Sequence, residues 1–283
     1  MSATLTVAFV ALALERALGY PSPVRRLLGH PANGLYMLNG IFSALVPDPA
    51  STALRRTIMG ATFCLLSVGV TLILAIVATT ALRTLPYAWC WEAVLATPFL
   101  AQYALRVRAR AVAKALDKDL ATAQDELAQL VNHDLSRLDH SSLVRGCLEA
   151  VASNTATAIV TPAVWLALSG LPGIVTISAL SAVNRRLAHD RKARLFSSLL
   201  DTAANYLPAR LVGLLFAGAA SMTSPSGGAR ALETIWHDAA KLGNLTSAWP
   251  ECAMAGALDI RLGGPRRYGD NLVERNWAGD GIE

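Results

Sequence analysis

Hydrophobic positions in this chain fall into long runs without a polar face, separated by short polar stretches. The clearest run is TIMGATFCLLSVGVTLILAIVATTAL, Thr57 to Leu82, which carries no charge and is bracketed by Arg55, Arg56 and Arg83. A helix of that length covers about 39 Å at ~1.5 Å per residue, more than a ~30 Å hydrocarbon core requires, and it predicts a membrane span. The opening run, Ser2 to Leu14, is apolar and ends at Glu15 and Arg16. No Lys or Arg precedes it, so it predicts a retained first membrane helix rather than a cleaved signal. Between these two runs, GYPSPVRRLLGHPANGLYMLNGIFSALVPDP predicts a Pro- and Gly-rich loop with one short amphipathic helix at its centre. After the turn RTLPY, a third span is expected in AWCWEAVLATPFLAQYAL. Its Trp89, Trp91 and Tyr103 suit an interfacial belt, and its Glu92 suits a membrane end.

The period changes at Arg106 to Gly146. Apolar residues at Val112, Leu116, Leu120, Ala123, Leu127, Leu130 and Val131 have helical spacing, with charges on the other face. This predicts a polar helical insert, residues 106–146, on the cytoplasmic side. The next apolar region, Leu148 to Val183, is interrupted at SGLPG, Ser169 to Gly173. One straight span would put Arg185, Arg186, Arg191, Lys192 and Arg194 outside, against the positive-inside tendency. A segment that enters, turns and returns keeps them inside, and broken helices are tolerated where they are buried or line a cavity. A last short run, Tyr206 to Met222, includes Arg210. The expected fold is therefore all-α: a polytopic integral membrane protein with four or five spans and a re-entrant segment. One domain over residues 1–283 ends in a polar, Gly-rich tail, residues 223–283, and sits multi-pass in the inner cell membrane.

Composition agrees. Hydrophobic residues make up 53% and charged residues 16%, against roughly 25% charged in soluble domains. The net charge of +5 is concentrated beside the apolar runs, which points to a lipid bilayer as partner and not to nucleic acid. Cys64, Cys90, Cys147 and Cys252 form no Cys-x-x-Cys pair and read as packing residues. No P-loop, Gly-x-Ser-x-Gly or His-Glu-x-x-His is present, so any ATP is not held by a Walker motif.

Polar residues at the edges of apolar runs are the candidates for chemistry. Asn154 lies in EAVASNTATAIVTPAVW, with Glu149 one and a half turns earlier, where local capping is the competing explanation. LDTAANYLPARL places Asp201 and Asn205 on one helix face, followed by Arg210. A carboxylate, an amide and a guanidinium there suit anion or metal–phosphate handling, or an interfacial helix start with a snorkelling arginine. NHDLSRLD offers His133, Asp134 and Asp139, but its spacing matches no strong metal pattern. The tail contains AWPECAMAGALDIRLGGPRRYG and LVERNWAGDG, a density of glycine that suits irregular backbone making a close approach.

Taken in order, these blocks resemble the CobD/CbiB family of cobinamide-phosphate synthases, membrane proteins of cobalamin biosynthesis. ALGYPSPVRRLLGHP is similar to the family's opening, HDLSRLD and LLDTAANYLPARL to two internal segments, and WPECAMAGALDIRLGGPRRYG to its C-terminal signature. The resemblance implies an ATP- and Mg²⁺-dependent ligase that joins aminopropanol, or its phosphate, to the f-side propionate of adenosylcobyric acid. On that reading Asp134, Glu149, Asn154, Asp201, Asn205 and Arg210 are the catalytic candidates. Trp249, Glu251, Gly263, Gly264, Tyr268 and Arg275 would bind the corrinoid, and other membrane proteins of the pathway are candidate partners. The chain departs from the family pattern at Ser153, Thr157, Asn184 and Thr202, where acids are expected, and at Ser178, where a lysine is expected. A Mg–nucleotide site missing that many ligands would be weakened. A divergent working synthase and a non-catalytic member that binds corrinoid or supports a membrane partner both remain open.

Overall fold

The computed structural model describes residues 2–19, 31–48, 50–131, 139–268 and 271–281. It is nearly all helical. In chain order the helices are α1 (Ser2–Leu18), α2 (Pro31–Ile41), α3 (Ala53–Leu82), α4 (Ala88–Ala96), α5 (Gln102–Leu116), α6 (Leu120–Ala128), α7 (His140–Asn154), α8 (Thr161–Arg186), α9 (Arg191–Thr223), α10 (Pro225–Asp238) and α11 (Ala248–Leu258). A π-helical stretch, Thr155–Val160, joins α7 to α8. The tail adds four short strands: β1 (Leu262–Gly263), β2 (Arg266–Tyr268), β3 (Asn271–Val273) and β4 (Trp277–Ala278). These form two antiparallel pairs, β1 with β4 and β2 with β3. Among the described residues, three helical stretches are long and apolar enough to cross a membrane: Ala53–Leu82, His140–Arg186 and Arg191–Thr223. The chain forms two compact units, residues 1–103 with 161–205, and residues 104–160 with 206–283.

In the first unit, α3 shows how the long apolar runs are used. Its buried positions are Gly60, Phe63, Cys64, Ser67, Thr71, Ala75 and Thr79, mostly small and about four residues apart. Its exposed positions include Leu65, Ile73 and Val77, each more than half exposed. A water-soluble helix would show the reverse. Small residues inward and large apolar ones outward is the arrangement of a helix whose solvent is lipid. Thr71 and Thr79 satisfy their hydroxyls on carbonyls one turn back, at 2.6 and 2.8 Å. At Gly60 a Cβ would come within 2.1 Å of the Ala193 carbonyl oxygen, so α3 and α9 approach at backbone contact.

The interruption at SGLPG is a sharp reversal. Gly170 has φ 68° and ψ −155°, outside the helical region and open in practice only to glycine. The two arms of α8 then fold back on each other. A Cβ on Gly173 would lie 2.4 Å from the carbonyl oxygen of Trp165, a residue that a straight helix would hold about 12 Å away. Likewise Thr161 bonds Asn205 and Ser181 bonds Asp201, at 2.8 and 3.2 Å. Asp201 and Asn205 are one turn apart on α9, whereas Thr161 and Ser181 would be about 30 Å apart along a straight helix.

Three sequence expectations need correction. The third span is not one helix: α4 gives way at Pro98 to a 3₁₀ turn, Leu100 is extended, and α5 then begins. Proline at that point removes a helical donor and stops α4 after two and a half turns. The last run is not short, because α9 continues from Arg191 through Pro208 to Thr223, 33 residues in all. The tail is not irregular throughout, since AWPECAMAGAL forms α11. The short helix expected between the first two runs is present as α2. Glu92 is buried, with its carboxylate 3.8 Å from Arg83 Nε and beside the Gly170 reversal.

In the second unit, α5, α6 and α7 bury Val112, Ala115, Ala123, Leu127 and Leu143 together, with Leu116, Leu130 and Val131 packed against them; of the predicted stripe only Leu120 stays out, on the exposed face. Asp119 and Asp139 cap α6 and α7 by accepting from the Thr122 and Ser142 amides. A separate tail core gathers Ile235, Cys252, Ala255, Leu262 and Ala278 from α10, α11, β1 and β4.

Candidate functional site

The polar residues predicted from sequence divide between the two units. In the first, Asp201 and Asn205 share one face of α9, packed against the α8 hairpin. Asp201 accepts from Ser181 Oγ at 3.2 Å through Oδ1 and from Asn184 Nδ2 at 3.1 Å through Oδ2. Asn184 is 7% exposed, and its Oδ1 accepts from Arg194 Nε at 2.7 Å. Asn205, 2% exposed, donates to the Asp201 carbonyl at 2.7 Å and accepts from the Thr161 hydroxyl. The chain Arg194–Asn184–Asp201 thus links a cation to a carboxylate through an amide with both of its ends in use. An aspartate at 184 would face Asp201 with like charge and would need a cation between them. Asparagine removes that need.

In the second unit, Glu149 of α7 is buried and accepts the amide of Gly263, the last residue of β1. Glu251 of α11 is buried and pairs with Arg275, whose side chain is 16% exposed. Burial pushes the Glu251 carboxyl above its ordinary range, and the Arg275 charge pulls against that shift. The neighbouring Cys252 thiol is pushed up to about 12, by burial first and then by the nearby Asp238 and Glu251 charges. That places it far from a reactive thiolate. Gly264 has φ +75°, and a Cβ there would strike the Trp277 ring at 2.5 Å. At Gly263, φ is +91° and a Cβ would lie 2.6 Å from the Asn276 carbonyl oxygen. The close approach that these glycines permit is made to the chain's own β4 segment. Lys241, Pro265, Glu274, Arg275, Asn276 and Trp277 line a cavity of about 510 Å³. Arg145 stacks over Trp277 at 4.8 Å.

Arg210 lies over the Tyr206 ring at 3.3 Å and over Trp249 at 5.2 Å, and donates to the Tyr206 carbonyl at 2.8 Å. Asn154 donates to the Ala150 carbonyl of its own helix at 2.8 Å. Thr155 and Thr157 bond back in the same way, at 2.7 and 3.1 Å, where the helix widens into its π stretch. Such π turns are common at functional sites. The structure therefore pairs Asp201 with Asn205, Glu251 with Arg275, Glu149 with Gly263, and Arg210 with Trp249. Asp134 and the side chain of Tyr268 lie outside what is described. Sequence reasoning did not single out Ser181, Lys241 or Trp277, and it read Arg194 only as one of a basic cluster. Ser181 and Asn184, three residues apart on one helix face, were the available signal for the first of these.

The family model described as CobD/Cbib protein matches residues 8–283. The chain belongs to the CobD/Cbib family. A relative from Rhodobacter capsulatus, "Cobalamin biosynthesis protein CobD", is 33% identical over 95% of this chain and 84% of its own length. Another of the same name from Brucella suis is 31% identical over 97% of this chain and 86% of its own. "Cobalamin biosynthesis protein CbiB" of Salmonella paratyphi B is 35% identical over 69% of this chain and 62% of its own. No solved structure matches.

The CobD/CbiB resemblance implies Mg²⁺, and the described residues do not fit a protein-held ion. Among them no three His, Cys, Asp or Glu side chains gather. Both Asp201 carboxylate oxygens are engaged by protein donors, and Glu251 and Glu149 are bound to Arg275 and the Gly263 amide.

Proposed function

We propose that this membrane protein acts in cobalamin biosynthesis, joining aminopropanol or its phosphate to the f-side propionate of adenosylcobyric acid. ATP enters as co-substrate, so that a carboxylate oxygen departs as phosphate and the amine nitrogen takes its place. The observation that carries the reading is family membership over residues 8–283, including the C-terminal signature, whose Glu251 pairs with Arg275 further along the tail. Lys241 and Arg275, two cations on the wall of the tail cavity, suit the propionates of a corrinoid, and Trp277 offers a flat apolar face. Arg210 is proposed to position the phosphate-bearing groups and Asn154 the amine, while Asp201 and Asn205 position the α8 hairpin against α9. The α8 hairpin is read as a re-entrant segment, with Arg185, Arg186, Arg191, Lys192 and Arg194 on the cytoplasmic side of the inner membrane. On that reading α1, α3, the broken segment from α4 into the start of α5, and α9 are the other crossing segments.

One observation favours the non-catalytic alternative. Asp201, Glu149 and Glu251 each have an internal partner, as expected of acids retained for structure. The test is complementation of a synthase-deleted strain supplied with cobyric acid. Growth with the native chain and a large loss with Asp201→Ala, at equal membrane expression, supports the enzyme. Absence of growth despite confirmed expression overturns it in favour of a corrinoid-binding or supporting role.

A further inference from the structure

The first unit contains a cavity of about 400 Å³ to which the proposed function assigns no role. Its polar lining is Arg56, Arg186, His189, Asp190, Arg191 and Lys192, four full cations against one carboxylate. Three helix ends converge there. Arg56 lies in the first turn of α3, Arg186 ends α8, and Arg191 opens α9. Each belongs to a stretch long and apolar enough to cross a membrane, so the cavity sits where apolar helices give way to water.

The charge is not consumed internally. Asp190 accepts from the Lys192 and Ala193 amides at 2.9 and 3.2 Å and meets Arg56 Nη1 at 3.4 Å. Arg56 Nε is buried with no acceptor among the described residues, a donor that an additional anion would satisfy. Arg186, Arg191 and Lys192 are exposed. Beside the cavity, Leu54, Ile58 and Leu195 are 71%, 55% and 46% exposed, which extends its rim into the lipid-facing surface.

We propose that this cavity holds the phosphate of an anionic phospholipid headgroup, with the acyl chains lying along Leu54, Ile58 and Leu195. The shared chemistry is phosphate recognition by clustered guanidinium and ammonium groups. The apolar rim at a span boundary selects the lipid over a free phosphate.

The test uses the full chain in neutral detergent. Thermal unfolding is measured with added phosphatidylglycerol, phosphatidylcholine or inorganic phosphate, and retained lipid is read by native mass spectrometry. Phosphatidylglycerol is expected to raise the melting temperature and to be retained, while phosphatidylcholine and inorganic phosphate do neither. Arg186→Gln with Arg191→Gln, both exposed and so compatible with folding, is expected to weaken retention on the order of tenfold. Removing two exposed cations elsewhere, Arg110→Gln with Lys114→Gln, is expected to leave it unchanged. Equal loss in both double variants, an equal shift with inorganic phosphate, or no shift with phosphatidylglycerol would overturn the proposal.

Discussion

The Glu251–Arg275 pair allows a worked prediction, because it ties the end of the tail to α11 and both side chains are largely out of water, 4% and 16% exposed. Replacing Arg275 with Met removes the positive charge but keeps most of the stem. The carboxylate left behind is buried among Ser247, Cys252 and the tail core. Breaking a buried pair from one side costs about 3–5 kcal/mol at neutral pH, because one charge is left uncompensated. Protonation of Glu251 relieves part of that cost, at about 1.36 kcal/mol for each pH unit below the folded pKa. The sign follows from the raised carboxyl. Its stabilising contribution is full below the unfolded value near 4.5 and is lost as pH rises through the higher folded value. Without Arg275 that folded value climbs further, so the variant should recover stability as pH falls from 8 towards 5.5, more steeply than the native chain.

The assay exploits Cys252, which is buried beside the pair. In a variant with Cys64, Cys90 and Cys147 replaced by Ala, a maleimide fluorophore reports opening of the tail core during a thermal ramp. Arg275→Met should open at a markedly lower temperature at pH 8, with a smaller deficit at pH 5.5. The double variant Glu251→Gln, Arg275→Met should lie between the single variant and the parent, because the uncompensated charge is gone. A deficit below about 1 kcal/mol at pH 8, or one that does not shrink on acidification, would refute the account of a buried, coupled pair.

Other expectations follow from backbone and polar contacts. Gly170→Ala should destabilise the first unit by about 1–3 kcal/mol in detergent unfolding, because alanine is strained at a positive φ with extended ψ. Gly69→Ala, with nothing within 4 Å of the added Cβ, should be neutral or mildly stabilising. Asn184→Asp removes a donor to Asp201 and adds a facing charge. It should lower the melting temperature in a chelator, with recovery on adding Mg²⁺, and no difference between the two conditions would count against the reading of Asn184 as a substitute for a cation. Arg108→Cys in a chain lacking the native cysteines should be labelled by an impermeant thiol reagent only after the inner membrane is opened. Labelling in cells with only the outer membrane permeabilised would place the insert on the other side.

How far the sequence could be read depended on the range of the interactions involved. The charge-free run of α3 and the apolar stripe over α5 to α7 were legible because each follows from local period and length. The glycine at 170 was visible as an interruption, but the reversal of α8 depends on tertiary bonds from Thr161 and Ser181 to α9. The break after α4 was misread because Trp, Leu and Phe around Pro98 keep hydropathy high while the backbone stops. Hydropathy records solvent preference and not hydrogen bonding. The tail showed the same limit in reverse. Its glycines suggested an open surface for a ligand, yet Gly263 and Gly264 are needed first for the contacts with Asn276 and Trp277. Once β1 and β4 are paired in this way, Arg275 is held between Glu251 and the cavity wall. On the proposed function, a corrinoid would meet Lys241 and the Arg275-to-Trp277 stretch that leads into β4, more than the glycines themselves. If the proposed function holds, a propionate competes with Glu251 for Arg275, and substrate binding should loosen the tail.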